Sequence, residues 1–354
     1  MSSTATKLGG LAVVVSAVST LAIGSMGYAA WKINWHSLVQ SFLTGPGRAS
    51  RIILLLFIIF NWKSMPFAWT YRIFYAMLYH SVFRKSPELG PRALFTPMIS
   101  ETTASLLEID YNVHKSNSTY FADLDVSRTH LIAYLMRPAI QRISNNQKTR
   151  LVLDPQTGLP ARGSFSIALG SVACTFKREI SACRTYELWS RIACWDRKWL
   201  YIVTHFLPKG AARPTEWLDP GFHRVKTRSS SADGSGPGSD SGWEHMIHAT
   251  AITKYVFKLG RLTVHPAVVL SAAGLLPERP GGWIGGENSV GDEKAAARAG
   301  GPGDVAADGA WDWRRIELHR QKGMQLAAQF QALDALHDTF DGGSNGAIAK
   351  FRPG

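Results

Sequence analysis

Glu108-Ile-Asp110-Tyr-Asn-Val-His114-Lys-Ser-Asn117-Ser-Thr-Tyr120 is the stretch on which the fold of this 354-residue chain turns, with Asp125 and Arg128 just beyond it. Upstream, Ala104-Ser-Leu-Leu-Glu-Ile109 reads as a strand. Downstream, Tyr120, Leu124, Leu131 and Leu135 recur at helical spacing and predict a helix over 118–137, which Pro138 stops. A carboxylate carried by a strand end to the start of a helix stands beside backbone N–H groups that have no intrahelical partner. Such groups stabilise negative charge, so the layout suits attack on a carbonyl.

Beyond the helix the chain turns strand-like. Phe165, Ile167 and Leu169 alternate with small or polar residues, and Val172, Cys174 and Phe176 continue in the opposite phase. That one-residue slip predicts a β-bulge near Gly170. Tyr186, Leu188, Ile192 and Cys194 are expected to share one face, and Trp195-Asp-Arg-Lys198 to form a hairpin turn. Trp199–Phe206 is apolar on both faces, as a central strand would be. Another strand is expected from Ile247 through Phe257, with Arg261-Leu-Thr-Val-His265-Pro266 extending it or turning away. One helix followed by antiparallel-looking strands gives an α+β fold with the helix on one face of a sheet.

The 108–128 segment resembles the hotdog-fold acyl-CoA thioesterases of the 4-hydroxybenzoyl-CoA thioesterase type. It is most similar to their membrane-anchored thioesterase-like branch, which includes fungal members in secondary-metabolite pathways. That branch carries Asp-x-Asp, three residues, His-x-Asn-Asn, a Tyr three residues on, then Asp-x-x-Arg. Asp110, His114, Asn117, Tyr120, Asp125 and Arg128 match it, while Glu108 stands for the first Asp and Ser116 for the first Asn. Phe176-Lys-Arg-Glu179, Tyr186-Glu and Trp195-Asp-x-Lys-Trp-x-Tyr201 also look like the family's strand sequence. The resemblance covers roughly 95–275, with a weaker echo in the C-terminal helix. It implies a hotdog domain over 93–275, a curved antiparallel sheet wrapped around a long central helix. It also implies a homodimer or higher homo-oligomer, with acyl-CoA or acyl-carrier thioester as substrate.

Under that resemblance Asp110 is the candidate general base or nucleophile, and His114 orients the thioester or the water. The N–H groups around Asn117, Ser118 and Thr119 are candidate oxyanion donors. Tyr120 and Leu124 pack in the core or line an acyl tunnel. Asp125 and Arg128, three apart on one helix, are placed to pair, which gives Arg128 a structural role, with a CoA-phosphate contact as the alternative. Read without the resemblance, Asp110 is equally a helix cap or surface acid, and His114 a buried, hydrogen-bonded histidine.

Charge and hydropathy point to a membrane. Of the formal net charge of +13, residues 31–100 supply +7, from Lys32, Arg48, Arg51, Lys63, Arg72, Arg84, Lys85 and Arg92 against Glu88. Aromatic and aliphatic residues fill the gaps, a mixture that favours an anionic lipid surface. No zinc-finger spacing or basic recognition helix occurs, so no nucleic-acid partner is expected. Leu8 to Trp31 runs 24 residues without a charge, long enough to cross a hydrocarbon core of about 30 Å. An uncleaved single-pass anchor is therefore expected over a cleaved signal peptide. Ile52–Trp62, 11 apolar residues between Arg51 and Lys63, is too short to cross alone. With Phe67, Trp69, Tyr71, Phe74, Tyr75, Met77 and Leu78 it is expected to form an interfacial or re-entrant pair, a second span requiring Lys63 to snorkel. Residues 1–92 thus read as membrane anchor and juxtamembrane helices. The positive-inside rule puts residues 32–354 in the cytosol, and a glycan on the Asn117-Ser-Thr sequon would block the candidate site.

The three cysteines, Cys174, Cys183 and Cys194, have no C-x-x-C spacing, and neither a disulfide framework nor a metal or cofactor is expected. Residues 228–243 read as a flexible insertion and 276–310 as a disordered linker. Trp313, Ile316, Phe330, Leu333, Leu336 and Phe340 predict a helix from Asp312 to Asp338 within a C-terminal segment 311–340. The functional expectation is a membrane-anchored acyl thioesterase. The alternative, kept open by Ser116 and the insertions, is a catalytically weak hotdog protein acting as an acyl-binding or scaffold module.

Overall fold

The computed structural model describes residues 31–84, 89–222, 242–284, 311–340 and 348–349. The expected span at 8–31 lies outside them except for Trp31, as do the insertion at 228–243 except for its last two residues and the linker from residue 285. The chain divides into two compact units, Met1–Trp62 and Lys63–Gly354.

In the first unit, α1 (Trp35–Thr44) and α2 (Arg48–Phe60) are bent by 108° across Gly45-Pro46-Gly47. The side chain of Asn34 caps α1 by accepting from the Ser37 N–H. No single helix among the described residues is long and apolar enough to cross a membrane, but this bent pair passes on length and composition together. Alone, the 13 residues of α2 reach about 20 Å. The bent pair therefore joins α2 to the helix before it. The aromatic segment expected to partner it is α3 (Ala68–Leu78), which lies in the second unit.

The second unit is α+β. Its strands are β1 (Met98–Thr103), β2 (Phe165–Phe176), β3 (Thr185–Trp195), β4 (Trp199–Pro208), β5 (Ala249–Leu259) and β6 (Leu262–Val264). All pairings are antiparallel, in the order β1-β3-β4-β5-β2, and β6 continues alongside β5. The long helix α4 (Thr119–Leu135) packs on the sheet. Ser127 on α4 bonds Ser100 of β1 and Ser190 of β3, and Arg128 bonds Thr253 of β5. Its buried residues form a stripe in the first half, through Tyr120, Asp123, Leu124 and Ser127, and close round the helix from Leu131 through Leu135. Tyr120, Leu124, Tyr186, Leu188, Phe206 and Ala251 form one core cluster; Leu131, Leu135, Ile192, Trp195, Leu200 and Phe257 belong to a larger one.

The bulge in β2 falls between Leu169 and Ser171. Glycine is required there because a Cβ on Gly170 would lie 2.4 Å from the Trp199 ring. The Trp195–Lys198 turn is held by Asp196, whose Oδ1 accepts from the N–H groups of Lys198 and Trp199 at 2.7 Å. A second bulge, between Ile192 and Cys194, changes the expected face of Cys194. Trp195 takes the core side with Ile192, while Cys194 packs with Tyr201, Ala327 and Phe330.

Residues 104–109 are not a strand. The edge strand is the preceding, more polar β1, and Leu106–Glu108 is a single 3-10 turn closed by a reciprocal Ser105/Glu108 capping box. The C-terminal helix α5 (Trp313–Ala332) is capped by Asp312 and tightens into a 3-10 segment, Leu333–Thr339. That change of pitch leaves Leu333, Leu336 and Phe340 exposed, so they do not extend the buried face. Residues 63–84 belong with the enzyme body, which moves the expected boundary at 92/93 to 62/63. The reason is chemical: Lys63 and Arg72 are counter-ions of Asp123 in α4, and Arg84 is that of Asp219.

Candidate active site

Residues 108–116 fold back on themselves as a short hairpin. Its rungs are Ser116 N–H to Glu108 O at 2.8 Å and Asp110 N–H to His114 O at 3.0 Å, with Ile109 bridged to Lys115. Asp110 Oδ1 accepts from the Asn112 N–H at 2.9 Å, an Asx turn that starts the reversal. Val113 completes the turn at φ 64°, a left-handed conformation rare for a β-branched residue. Tyr111 and Val113 at the tip are exposed.

Neighbouring residues of an extended segment point to opposite faces, and this hairpin uses both. Asp110 and His114 share the outer face, half-buried, with Oδ1 and Nδ1 3.6 Å apart. Lys115 lies on the inner face, fully buried. The sequence therefore brings Asp110 and His114 together through cross-strand pairing.

The expected oxyanion donors divide. The Thr119 N–H is engaged by Ser116 O at 3.0 Å, and the Tyr120 N–H makes a long contact of 3.4 Å with Asn117 O. The N–H groups of Asn117 and Ser118 have no hydrogen-bond partner among the described residues. Both residues are exposed where the chain enters α4, and Ser118 provides no side-chain cap. They come directly after the Glu108–Ser116 rung, three and four residues beyond His114, the cross-strand partner of Asp110. Ser116, in place of the family amide, bonds Ser118 Oγ through its own Oγ at 3.1 Å.

Tyr120 and Leu124 lie in the core, Tyr120 edge-on to Phe176 with centroids 5.0 Å apart. Arg128 is buried, bonded to Asp125 and to Thr253 at 2.5 Å each, with its guanidinium over Tyr255. Its charge is occupied inside the protein, which leaves no surface for a CoA phosphate.

Behind the hairpin lies a cluster that the sequence reading missed. Lys115 Nζ is 3.1 Å from Glu108 Oε1 and 3.0 Å from Asp123 Oδ2, contacts that are ionic rather than aligned hydrogen bonds. Lys63 Nζ is 2.9 Å from Glu108 Oε2 and 3.3 Å from Asp123. Arg72 reaches Asp123 at 3.1 Å, and the Tyr186 hydroxyl donates to it at 2.5 Å. Burial alone would push Asp123 up, but Lys63, Lys115, Arg72 and Tyr186 hold it well below the usual carboxylate range. Burial lowers Lys63 against the pull of both carboxylates. One sequence signal was available: Asp123 falls in the stripe of Tyr120, Leu124 and Ser127, where a charge must find partners.

Comparison with known proteins gives a consistent family. The model of the thioesterase-like superfamily matches residues 105–223. The probable thioesterase atnL of Emericella nidulans is 30% identical over 326 residues, 88% of this chain and 93% of that protein. Thioesterase poxG of Penicillium oxalicum is 32% identical over 309 residues, covering 86% and 90%. Among solved structures, a 1,4-dihydroxy-2-naphthoyl-CoA thioesterase from Synechocystis aligns with 52% of this chain and 99% of its own at a TM-score of 0.32 and 9% identity.

Proposed function

Because this chain belongs to the thioesterase-like superfamily, we propose that it is a thioester hydrolase whose reacting carboxylate is Asp110. The supporting observation is the hairpin that pairs Asp110 with His114 and leads directly into Asn117 and Ser118, whose N–H groups have no partner among the described residues. Asp110 takes a proton from water as the water attacks the thioester carbonyl carbon, and the two N–H groups receive the oxyanion. The C–S bond then breaks, and the thiolate leaves with the proton from the Asp110 acid. Direct attack by the carboxylate, through an anhydride opened by water, uses the same groups. Acyl-CoA or an acyl-carrier thioester is the proposed substrate, and a homo-oligomer the proposed assembly.

The test is release of free thiol from a panel of acyl-CoAs by the full chain in detergent. Asp110→Asn is expected to lower kcat at least ~100-fold, within the range of a lost acid–base group, while keeping its fold and saturable acyl-CoA binding. An Asn variant within ~10-fold of wild type would refute the assignment. A wild type that binds acyl-CoA and releases no thiol would favour the acyl-binding module instead.

A membrane surface is proposed as the place of work. Large apolar side chains stand exposed along α2, and Phe67, Phe74, Val82 and Phe83 do so around α3. Four cations of the basic region, Lys63, Arg72, Arg84 and Arg92, are engaged by Glu108, Asp123, Asp219 and Glu216. Attachment should therefore be chiefly apolar. Flotation with neutral phosphatidylcholine vesicles is expected to succeed and to persist in about 1 M salt, where the Debye length is about 3 Å. Release by salt, or dependence on anionic lipid, would contradict this.

A further inference from the structure

We propose that Lys115 and Glu108 are positioning residues for the reaction, gripping the base of the hairpin from the inside so that Asp110 and His114 keep their pairing on the outside. The inference rests on the catalytic reading of Asp110. His114 and Lys115, adjacent on an extended segment, point to opposite faces, and Glu108 turns inward from the 3-10 turn that precedes Asp110. Glu108 and Lys115 precede Asp110 and follow His114, one residue or two away on the chain, so whatever fixes them fixes the reacting pair.

Both are fixed from several directions. Glu108 accepts the Ser105 N–H at 3.0 Å with Oε2 and receives the Ser116 N–H on its main-chain oxygen. Lys115 donates its own N–H to Ile180 O at 2.8 Å, next to the bridge between His114 and Ser181. Its ammonium lies between the Glu108 and Asp123 carboxylates and above the Tyr120 and Tyr186 rings, 5.3 and 5.7 Å from their centroids. Lys63 joins the same two carboxylates from the other side.

Two features of the cluster tie it to function. Buried ion pairs contribute little net stability compared with apolar groups of equal volume, because desolvation offsets the Coulomb attraction. A six-membered polar cluster within the core is thus costly as mere packing. Second, the turn it anchors holds Val113 in the left-handed region, a conformation that persists only where the surroundings over-determine it. The restraint and the strained residue lie on one nine-residue hairpin with the candidate catalytic pair between them.

The test uses the full chain and four variants: Lys115→Met, Glu108→Gln, the double variant, and Lys254→Met. Lys254 is an equally buried lysine, ion-paired with Asp334 at 2.6 Å and contacting Trp199, away from the hairpin. Lys115→Met and Glu108→Gln are each expected to lower kcat at least ~10-fold with KM within ~3-fold, a misplacement effect on the chemical step. The double variant should lose no more kcat than the worse single, since one clamp is removed once. Lys254→Met should lose thermal midpoint with kcat within ~2-fold. Normal kcat in folded Lys115→Met, multiplicative losses in the double variant, or an equal kcat loss in Lys254→Met would each overturn the inference. Should Lys115→Met not fold, Glu108→Gln decides: normal kcat there refutes it. If Asp110→Asn is inactive while these variants are normal, the positioning role fails alone; if Asp110→Asn is active, the catalytic reading fails.

Discussion

Replacing Asp123 by Asn removes the negative centre around which Lys63, Lys115, Arg72 and Tyr186 converge, with almost no change of volume. Three cations then remain with Glu108 as their one carboxylate in the cluster. Breaking a buried ion pair from one side costs about 3–5 kcal/mol, because the partners stay desolvated. For a chain of this size the thermal midpoint should fall by roughly 5–10 °C, at about 1.5–2 °C per kcal/mol. The pH dependence is the sharper check. Asp123 is held below its unfolded value, so its contribution is fully present above pH ~4 and is lost as the pH falls toward the folded-state value. Between pH ~4 and pH ~2.5 the gap between wild type and Asp123→Asn should narrow by about 2 kcal/mol. Using the difference between the two proteins cancels Asp219 and Asp334, which are lowered as well. Urea melts across that range measure it. A midpoint loss below ~2 °C, or a gap that ignores pH, would refute the account of the cluster.

Gly323→Ala tests the packing of α5 on β3. Alanine favours a helix interior over glycine by about 1 kcal/mol, but a Cβ here would meet Ala193 O at 2.4 Å and Cys194 Cβ at 2.8 Å. Net destabilisation of about 1–3 kcal/mol is expected in denaturant melts, and a gain would show that the helix does not sit so close. Thiol labelling with an aromatic disulfide at pH ~8 should report one fast cysteine in the native chain and three after denaturation. Burial pushes Cys194 up to about 12 and Cys174 up to about 11, whereas Cys183 is exposed. Fast labelling of Cys194 itself, located by peptide mapping, would contradict its placement beneath α5.

Much of the sheet and the long helix could be read in the sequence because each carries a local period. The β2 bulge showed itself as a change of phase across Gly170, and the Trp195–Trp199 turn as a polar break between apolar runs. The edge strand β1 was missed for the converse reason. Met98-Ile-Ser-Glu-Thr-Thr103 carries little apolar alternation, and the apolar Leu106-Leu107 just after it looks more like a strand but is exposed on a capped turn. Cys194 changed faces because its bulge carries no glycine to mark it. Asp110 and His114 were legible as a spaced pair, since the turn between them is local. To the nearby Glu108, Lys115 and Asp123 the cluster behind them adds residues from far along the chain, Lys63 and Tyr186 standing 60 and 63 positions from Asp123. Each member looks ordinary alone: Lys63 as the flank of an apolar run, Lys115 as the variable residue after His114, Asp123 as one acid on a helix.

That non-locality bears on how the hairpin keeps its register. With a side-chain period of two, a slip of one residue would carry His114 inward and Lys115 outward, removing the reacting pair and exposing the lysine together. Apolar packing would oppose such a slip weakly, because Ile109 is only partly buried and Val113, at the tip, is already out in water. An ammonium between two carboxylates opposes it strongly, since displacement leaves both acids buried with a partner missing. Fixing register is the best-attested use of buried polar groups. In this chain the register so fixed decides which side chains stand outside with Asp110 and His114 and which face the core.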